Sequence, residues 1–322
     1  TNSTDYFAGG NGTKESPFLI ETKKHLENLR ALVGLGADFK DMYFKQIADI
    51  NINAPFEQWA EQAPEKWTAI ADTRNEAKFT LPNYYIFRGT YDGDFHEVRN
   101  MYINNNKNDQ GLFSCVGGGS RIKKLGVTDV YIKQPSNSAA TLVGCFAVDE
   151  SDIVISQCWT SGYMECQTAC AIVGTPYISR VVTLVNCQSS VSLENSKTEH
   201  AGMPRDAGIT SDRHLTGNYL FTGTMAEKHD KYSGFSVALP CHGYSTNINT
   251  YYDTDVYPHY GTADLGRPTA YLQSKDFVNI LNSFVYEWNT THDEKLDYWK
   301  YSEGKYPQVD PTYQPPYLVT FE

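Results

Sequence analysis

The apolar residues of this chain fall in short runs, and the runs recur. Gly111-Leu112-Phe113, Thr141-Leu142-Val143-Gly144 and Ala171-Ile172-Val173-Gly174 follow one another at a step of 30 residues. Each is followed by a second run, Ile122-Lys123-Lys124-Leu125, Ile155-Ser156-Gln157-Cys158 and Leu184-Val185-Asn186-Cys187, at steps of 33 and 29 residues. A third, alternating piece closes each period: Val130-Tyr131-Ile132, Tyr163-Met164 and Val191-Ser192-Leu193. Runs this short, rich in Val, Ile, Leu, Tyr and Cys and bounded by Gly, Asn and Ser, predict strands; helices of ordinary length do not fit between them. A fixed period holding two or three strands predicts a solenoid, in which neighbouring units bury what one unit cannot.

In a parallel β-helix, equivalent positions of successive coils stack about 4.8 Å apart. Leu112, Leu142 and Ile172 should therefore form one interior column, and Cys158 and Cys187 another, as small apolar fillers. Residues 217–225 and 248–253 read as degenerate further copies, and 87–93 with 98–103 supply a coil before the first. The expected organisation is an N-terminal segment and capping helix over 1–40, a solenoid over 41–255 and a C-terminal cap with a helix and an extended tail over 256–322. Covers are needed because a terminal coil exposes apolar side chains and unpaired strand edges. Over 21–33, Leu26, Leu29, Leu32 and Val33 recur at helical spacing and Gly34 is a stop signal. Farther on, Ser274 is placed as the N-cap of a helix with Phe277, Ile280, Leu281 and Phe284 on one face.

Several of these segments together resemble the GLUG-motif surface proteins of Bacteroides-type bacteria. The opening 7–22 looks like that family's start, and 87–103, with Asp92, Gly93 and His96, resembles its coil with a tight turn and glycine at positive φ. The runs at 111, 141 and 171 match its repeat strand; 249–253, 276–282, Trp299 and 304–307 resemble its usual ending. The chain departs from the pattern at Cys115 and Cys145, at Thr250 in place of a cysteine, and through the diverged stretch 195–245. The resemblance implies an all-β, right-handed parallel β-helix, in keeping with the usual hand of parallel crossovers. It also implies an exported protein with adhesion or binding as its role and little established chemistry.

Composition narrows the partners. A net charge of −11, with no basic block to offset it, argues against nucleic acid. Aromatic residues make up 13 %, with 23 Tyr and 5 Trp, side chains that fill a β core or stack on sugars and protein partners. No apolar run approaches the length of a membrane-spanning helix. A polar start without an initiator Met is expected of a chain whose export signal has been removed, and a cell-surface or secreted protein, lipid-anchored through that segment, is the implied setting. Seven Cys cannot all pair, no CxxC spacing occurs, and no disulfide framework, metal or cofactor is expected.

The leading expectation is a non-catalytic module that binds a glycan or a host or bacterial surface protein. The densest aromatic run outside the repeat, Tyr251, Tyr252, Tyr257, His259 and Tyr260, gives the first binding candidates, with packing against the C-terminal cap as the competing account. The alternative is a polysaccharide-degrading lyase or glycoside hydrolase on the same scaffold, which needs flanking carboxylates or a base beside Arg or Lys. The dense polar cluster of His200, Arg205, Asp206, Asp212, Arg213 and His214 would then supply the catalytic candidates Asp206 and Asp212, although a solvated loop bulging from the solenoid is the simpler account of it. Asp149, Glu150 and Asp152 offer too few ligands for Ca²⁺. Cys241 and His242 are adjacent on a strand pattern and so face opposite ways.

Overall fold

Parallel pairing, coil upon coil, organises the chain. A computed structural model describes residues 3–72, 85–147, 151–176, 182–195, 219–221, 225–226, 250–256 and 266–316. One wall begins with Phe18–Ile20 and continues through Tyr43–Gln46, the start of Thr90–Arg99, the start of Arg121–Ala140, Ile153–Ser156 and Val182–Val185, all parallel. A second wall runs from Ile50–Asn51 through Val98, Val127, Thr160 and Ser189, then through Tyr219–Phe221 and Thr250–Asp253 to Gly266–Arg267. A third stacks Tyr102–Ile103, Tyr131-Ile132, Tyr163-Met164, Ser192–Asn195 and Met225–Ala226. Phe113–Val116, Val143–Phe146 and Val173–Pro176 form a separate three-stranded wall. The molecule is a parallel β-helix.

The predicted interior column is present. Phe113 pairs with Val143 and Val143 with Val173, which places Leu112, Leu142 and Ile172 in line, each with no exposed surface. Backbone amides tie them together, Leu112 N–H to the Thr141 carbonyl at 3.0 Å and Leu142 N–H to the Ile172 carbonyl at 3.0 Å. On the first wall Phe44, Tyr91, Ile122, Ile155 and Leu184 are in register and buried. Burying one such aliphatic side chain stabilises by about 1.5–3 kcal/mol before entropy is counted, so the columns hold the coils together.

The second run of each period proves to be two strands around a corner. Lys124, Gln157 and Asn186 occupy that corner in successive coils with φ of 53°, 54° and 58°. Turning there leaves Ile122, Ile155 and Leu184 on one wall and starts Leu125, Cys158 and Cys187 on the next. Cys158 and Cys187 stack as expected, and Cys115 pairs with Cys145 in the separate wall. Six cysteines are described, all buried; burial pushes the thiols of Cys158 and Cys166 up.

At the N-terminal end the helix Lys23–Gly34 covers the first coil with Leu26, Leu29 and Val33, its start closed by a capping box between Thr22 and His25. The Arg30 guanidinium lies 4.8 Å from the Trp67 ring centroid. The ladder already begins before this helix: Phe18-Leu19-Ile20 pairs with Phe44-Lys45-Gln46, so the solenoid starts inside the segment expected to precede it.

The C-terminal helix, Lys275–Thr291, starts at Ser274, whose hydroxyl accepts from the Phe277 amide at 3.2 Å. Its buried face is Phe277, Val278, Leu281 and Val285, while Ile280 is 40 % exposed. The stripe differs from the expected one because the helix packs on two sides, against Tyr251 and against the antiparallel pair Tyr298–Lys300 and Gln308–Asp310. Among the described residues this module ties to the side of the solenoid. Lys123 pairs with Glu294 at 2.7 Å, Gln157 exchanges hydrogen bonds with Asp297 at 3.1 and 2.8 Å, and Asn186 holds Asp297 and Trp299. Those partners belong to successive coils, and Val154 and Val185, which alternate with the inward Ile155 and Leu184, join the same apolar cluster. The module therefore lies along the flank.

Candidate functional site

Alternation on the third wall separates two sets of side chains. Ile103, Ile132 and Met164 point inward and are buried, so Tyr102, Tyr131 and Tyr163 point out. Their rings touch along the axis, with centroids 6.1 Å apart for Tyr102 and Tyr131 and 5.4 Å for Tyr131 and Tyr163. A short 3₁₀ turn, Phe56–Gln58, adds two more rings. Phe56, 56 % exposed, stacks on Tyr131 at 5.3 Å and 15°, and Trp59 meets Tyr131 edge-on at 5.7 Å with its Nε1–H donated to the Ala54 carbonyl at 2.7 Å. Beside the strip, Lys133 faces Glu165 at 3.7 Å. The result is an aromatic surface crossing three coils with a polar margin.

A groove of about 720 Å³ lies between the second wall and the strand pair of the C-terminal module. Its aromatic side is Trp159, roughly parallel to Phe95 at 6.2 Å and 20°. The indole rests over Gly126, where a Cβ would stand 2.5 Å from a ring carbon, so a side chain there would dislodge it. Glu97 and Asp129 line the same groove. Glu97 accepts from Arg99 Nε at 3.2 Å and from the Thr128 hydroxyl at 2.6 Å. Arg99 also reaches Asp49 at 3.0 Å, and His96 lies 3.3 Å from the other Asp49 oxygen. Burial pushes the Asp49 carboxyl up, but the Glu97 amide, Arg99 and His96 together hold it below the usual carboxylate range. The Glu97 hydrogen bond and the nearby carboxylates raise Arg99.

Flat rings beside amides, hydroxyls and carboxylates can stack on the C–H face of a sugar and accept from its hydroxyls. Carboxylates sharing one groove, here Glu97, Asp129 and Asp310, are also the raw material of glycoside hydrolysis. Among the described residues no group of three or more His, Cys, Asp or Glu side chains is placed to hold a metal.

The residues singled out from sequence are distributed otherwise. Tyr251 and Tyr252 are 8 % and 3 % exposed: they continue the second wall beside Leu220 and Phe221, and Tyr251 packs edge-on against Phe277 at 4.9 Å. They are packing residues, Tyr251 facing out under the flank module and Tyr252 facing into the solenoid core, and burial pushes both phenols up. Tyr257, His259 and Tyr260 lie outside the described residues, as do Asp206, Asp212, their basic and histidine neighbours, Asp149, Glu150, Cys241 and His242. At the turn after Asp92 the left-handed positions are Asp94 and Phe95, with φ of 48° and 63°. Gly93 is needed there for another reason, since a Cβ would stand 2.3 Å from the Lys124 carbonyl oxygen.

The tyrosine strip and Trp159 were not among the sequence candidates. The signal for the strip was in the third run, where Tyr131 and Tyr163 alternate with Ile132 and Met164. Phe56 and Trp59 come from a stretch with no repeat and carry no such signal.

No family model matches the chain. Over 149 residues it is 30 % identical to a protein of Evansella cellulosilytica named "Putative Gly-rich membrane protein", a match covering 46 % of this chain and 15 % of that protein's length. A crystal structure of "a putative immunoglobulin A1 protease" from Bacteroides ovatus aligns over 97 % of this chain and 98 % of that one, with 14 % identity and a TM-score of 0.48. Among the described residues no helix is long and apolar enough to cross a membrane.

Proposed function

We propose that this chain is an exported β-helix that works at the cell surface as a non-catalytic binding or adhesion module for a glycan or a surface protein. The observation that carries the reading is the outward strip of Tyr102, Tyr131 and Tyr163 with Phe56 laid on it. Aromatic rings presented on a rigid wall give contact area at little entropic cost, because the backbone beneath them is already ordered. The resemblance to GLUG-motif surface proteins and the name of the Evansella relative agree with a surface location.

A glycan array scored for both retention and cleavage tests this. Saturable retention without released product, lost in a Phe56→Ala, Tyr163→Ser double variant, supports it. Serine is chosen because Ser192 occupies the same outward position one coil on. Released oligosaccharide would instead favour a lyase or glycoside hydrolase, the second reading, which rests on Glu97 and Asp129 sharing the groove.

A further inference from the structure

The groove is separate from the strip. Its aromatic rings are Trp159 and Phe95 on the solenoid side and Tyr306 opposite, and it is closed on its far side by the C-terminal strand pair rather than by the third wall. Its charges are close to balance. Glu97 shares Arg99 with Asp49, at 3.2 and 3.0 Å, and Asp310 faces Lys300 at 3.8 Å. That leaves Asp129 on one side and Lys305 on the other. A phosphate or polyanion would need an excess of cations, and a cationic ligand an excess of carboxylates. The lining has no excess of cations: Glu97, Asp129 and Asp310 stand against Lys300 and Lys305, one carboxylate over balance.

What the groove offers is a flat ring, carboxylate acceptors and a rim of hydroxyls and amides from Ser190 and Gln188. Gly126 fixes the depth of the ring, since its bare backbone lets the Trp159 indole lie down where any Cβ would collide with it. We infer that the groove is a saccharide subsite that seats one neutral pyranose against Trp159, with Asp129 accepting from its hydroxyls. The inference shares with the proposed function only the class of ligand; strip variants and groove variants tell the two apart.

The test is a titration of the full chain, labelled at the tryptophan indole nitrogens, with the methyl pyranosides of glucose, galactose, mannose and N-acetylglucosamine. The Trp159 indole resonance should shift saturably with at least one of them. The corresponding glucuronoside should bind more weakly, because its carboxylate approaches Glu97 and Asp129. Trp159→Ala should weaken binding about tenfold or more, equivalent to about 1.4 kcal/mol. Because Trp159 also packs on Gly126, Asp129→Asn is run beside it: Asp129 is exposed, and the substitution keeps the shape of the side chain. Loss in either variant with the circular dichroism unchanged supports the subsite. No shift with any of the four sugars, equal binding by both variants, or preference for the glucuronoside would overturn it. Binding that survives Phe56→Ala, Tyr163→Ser but not Trp159→Ala locates the sugar in the groove.

Discussion

The indole Nε1–H of Trp299 donates to Asn186 Oδ1 at 2.6 Å, and Asn186 sits at a solenoid corner with φ of 58°. One side chain thus holds a left-handed turn and anchors the flank module, which Asn186 also reaches through its Nδ2–H to the Asp297 carbonyl at 2.9 Å. Replacing it separates the two roles. Asn186→Gly keeps the turn and loses the hydrogen bonds. Asn186→Ala loses both. Leaving the buried Trp299 N–H unpaired costs about 1–3 kcal/mol, and the left-handed turn adds about 1 kcal/mol for alanine over glycine. Urea unfolding should rank wild type above Asn186→Gly above Asn186→Ala; equal stabilities of the two variants would remove the corner from the argument.

Two glycines give opposite expectations. At Gly144 a Cβ would stand 1.9 Å from the Asp109 carbonyl oxygen, inside the repeat where neighbouring coils meet. Gly144→Ala should lower stability by about 2–3 kcal/mol, because backbone cannot move aside as a side chain can. Gly34 closes the N-terminal helix with nothing within 4 Å of the position. Gly34→Ala should be neutral or raise stability by up to about 1 kcal/mol. Thermal melts of the pair check this, and a Gly144→Ala protein as stable as wild type would refute the close packing of coils at that point.

The repeat carried much of the fold into the sequence. A 30-residue beat put Leu112, Leu142 and Ile172 in one column, because parallel stacking forces equivalent positions to coincide. The corner at Lys124, Gln157 and Asn186 was hidden, since Lys and Gln are not usual left-handed residues. The flank position of the C-terminal helix was hidden too. Its docking depends on Lys123, Gln157 and Asn186, polar residues more than 100 positions away. The aromatic strip was half legible. Tyr131 and Tyr163 alternate with core residues, but density of tyrosines along the chain pointed to Tyr251 and Tyr252, which burial claims. A run of aromatic residues in sequence says nothing of which face they take.

The buried thiols make a third expectation. All six described cysteines are inside, and burial disfavours the thiolate that reacts. A maleimide reagent should leave these six unlabelled in native buffer and label them after unfolding in urea, as counted by intact mass. Native labelling at Cys158 or Cys187 would show that the column opens.

Tyr306 gives a pH signature. Burial, and then its hydrogen bond to Asp253, push the phenol up to about 12. The neutral form is the one the fold prefers, so its stabilisation is complete below the ordinary tyrosine pKa of about 10 and is lost as pH rises through the folded value. Tyr306→Phe should therefore narrow the gap to wild type as pH rises from 9 toward 12, followed by urea midpoints. A constant difference across that range would mean that the phenol titrates normally.

The docking of the C-terminal module across successive coils has a mechanical consequence. Its ties reach Lys123, Gln157, Asn186 and Tyr251 in turn. Tension entering through the strand pair Tyr298–Lys300 and Gln308–Asp310 is shared among several rungs as shear, where a plug seated on the last coil would let the rod unzip one rung at a time.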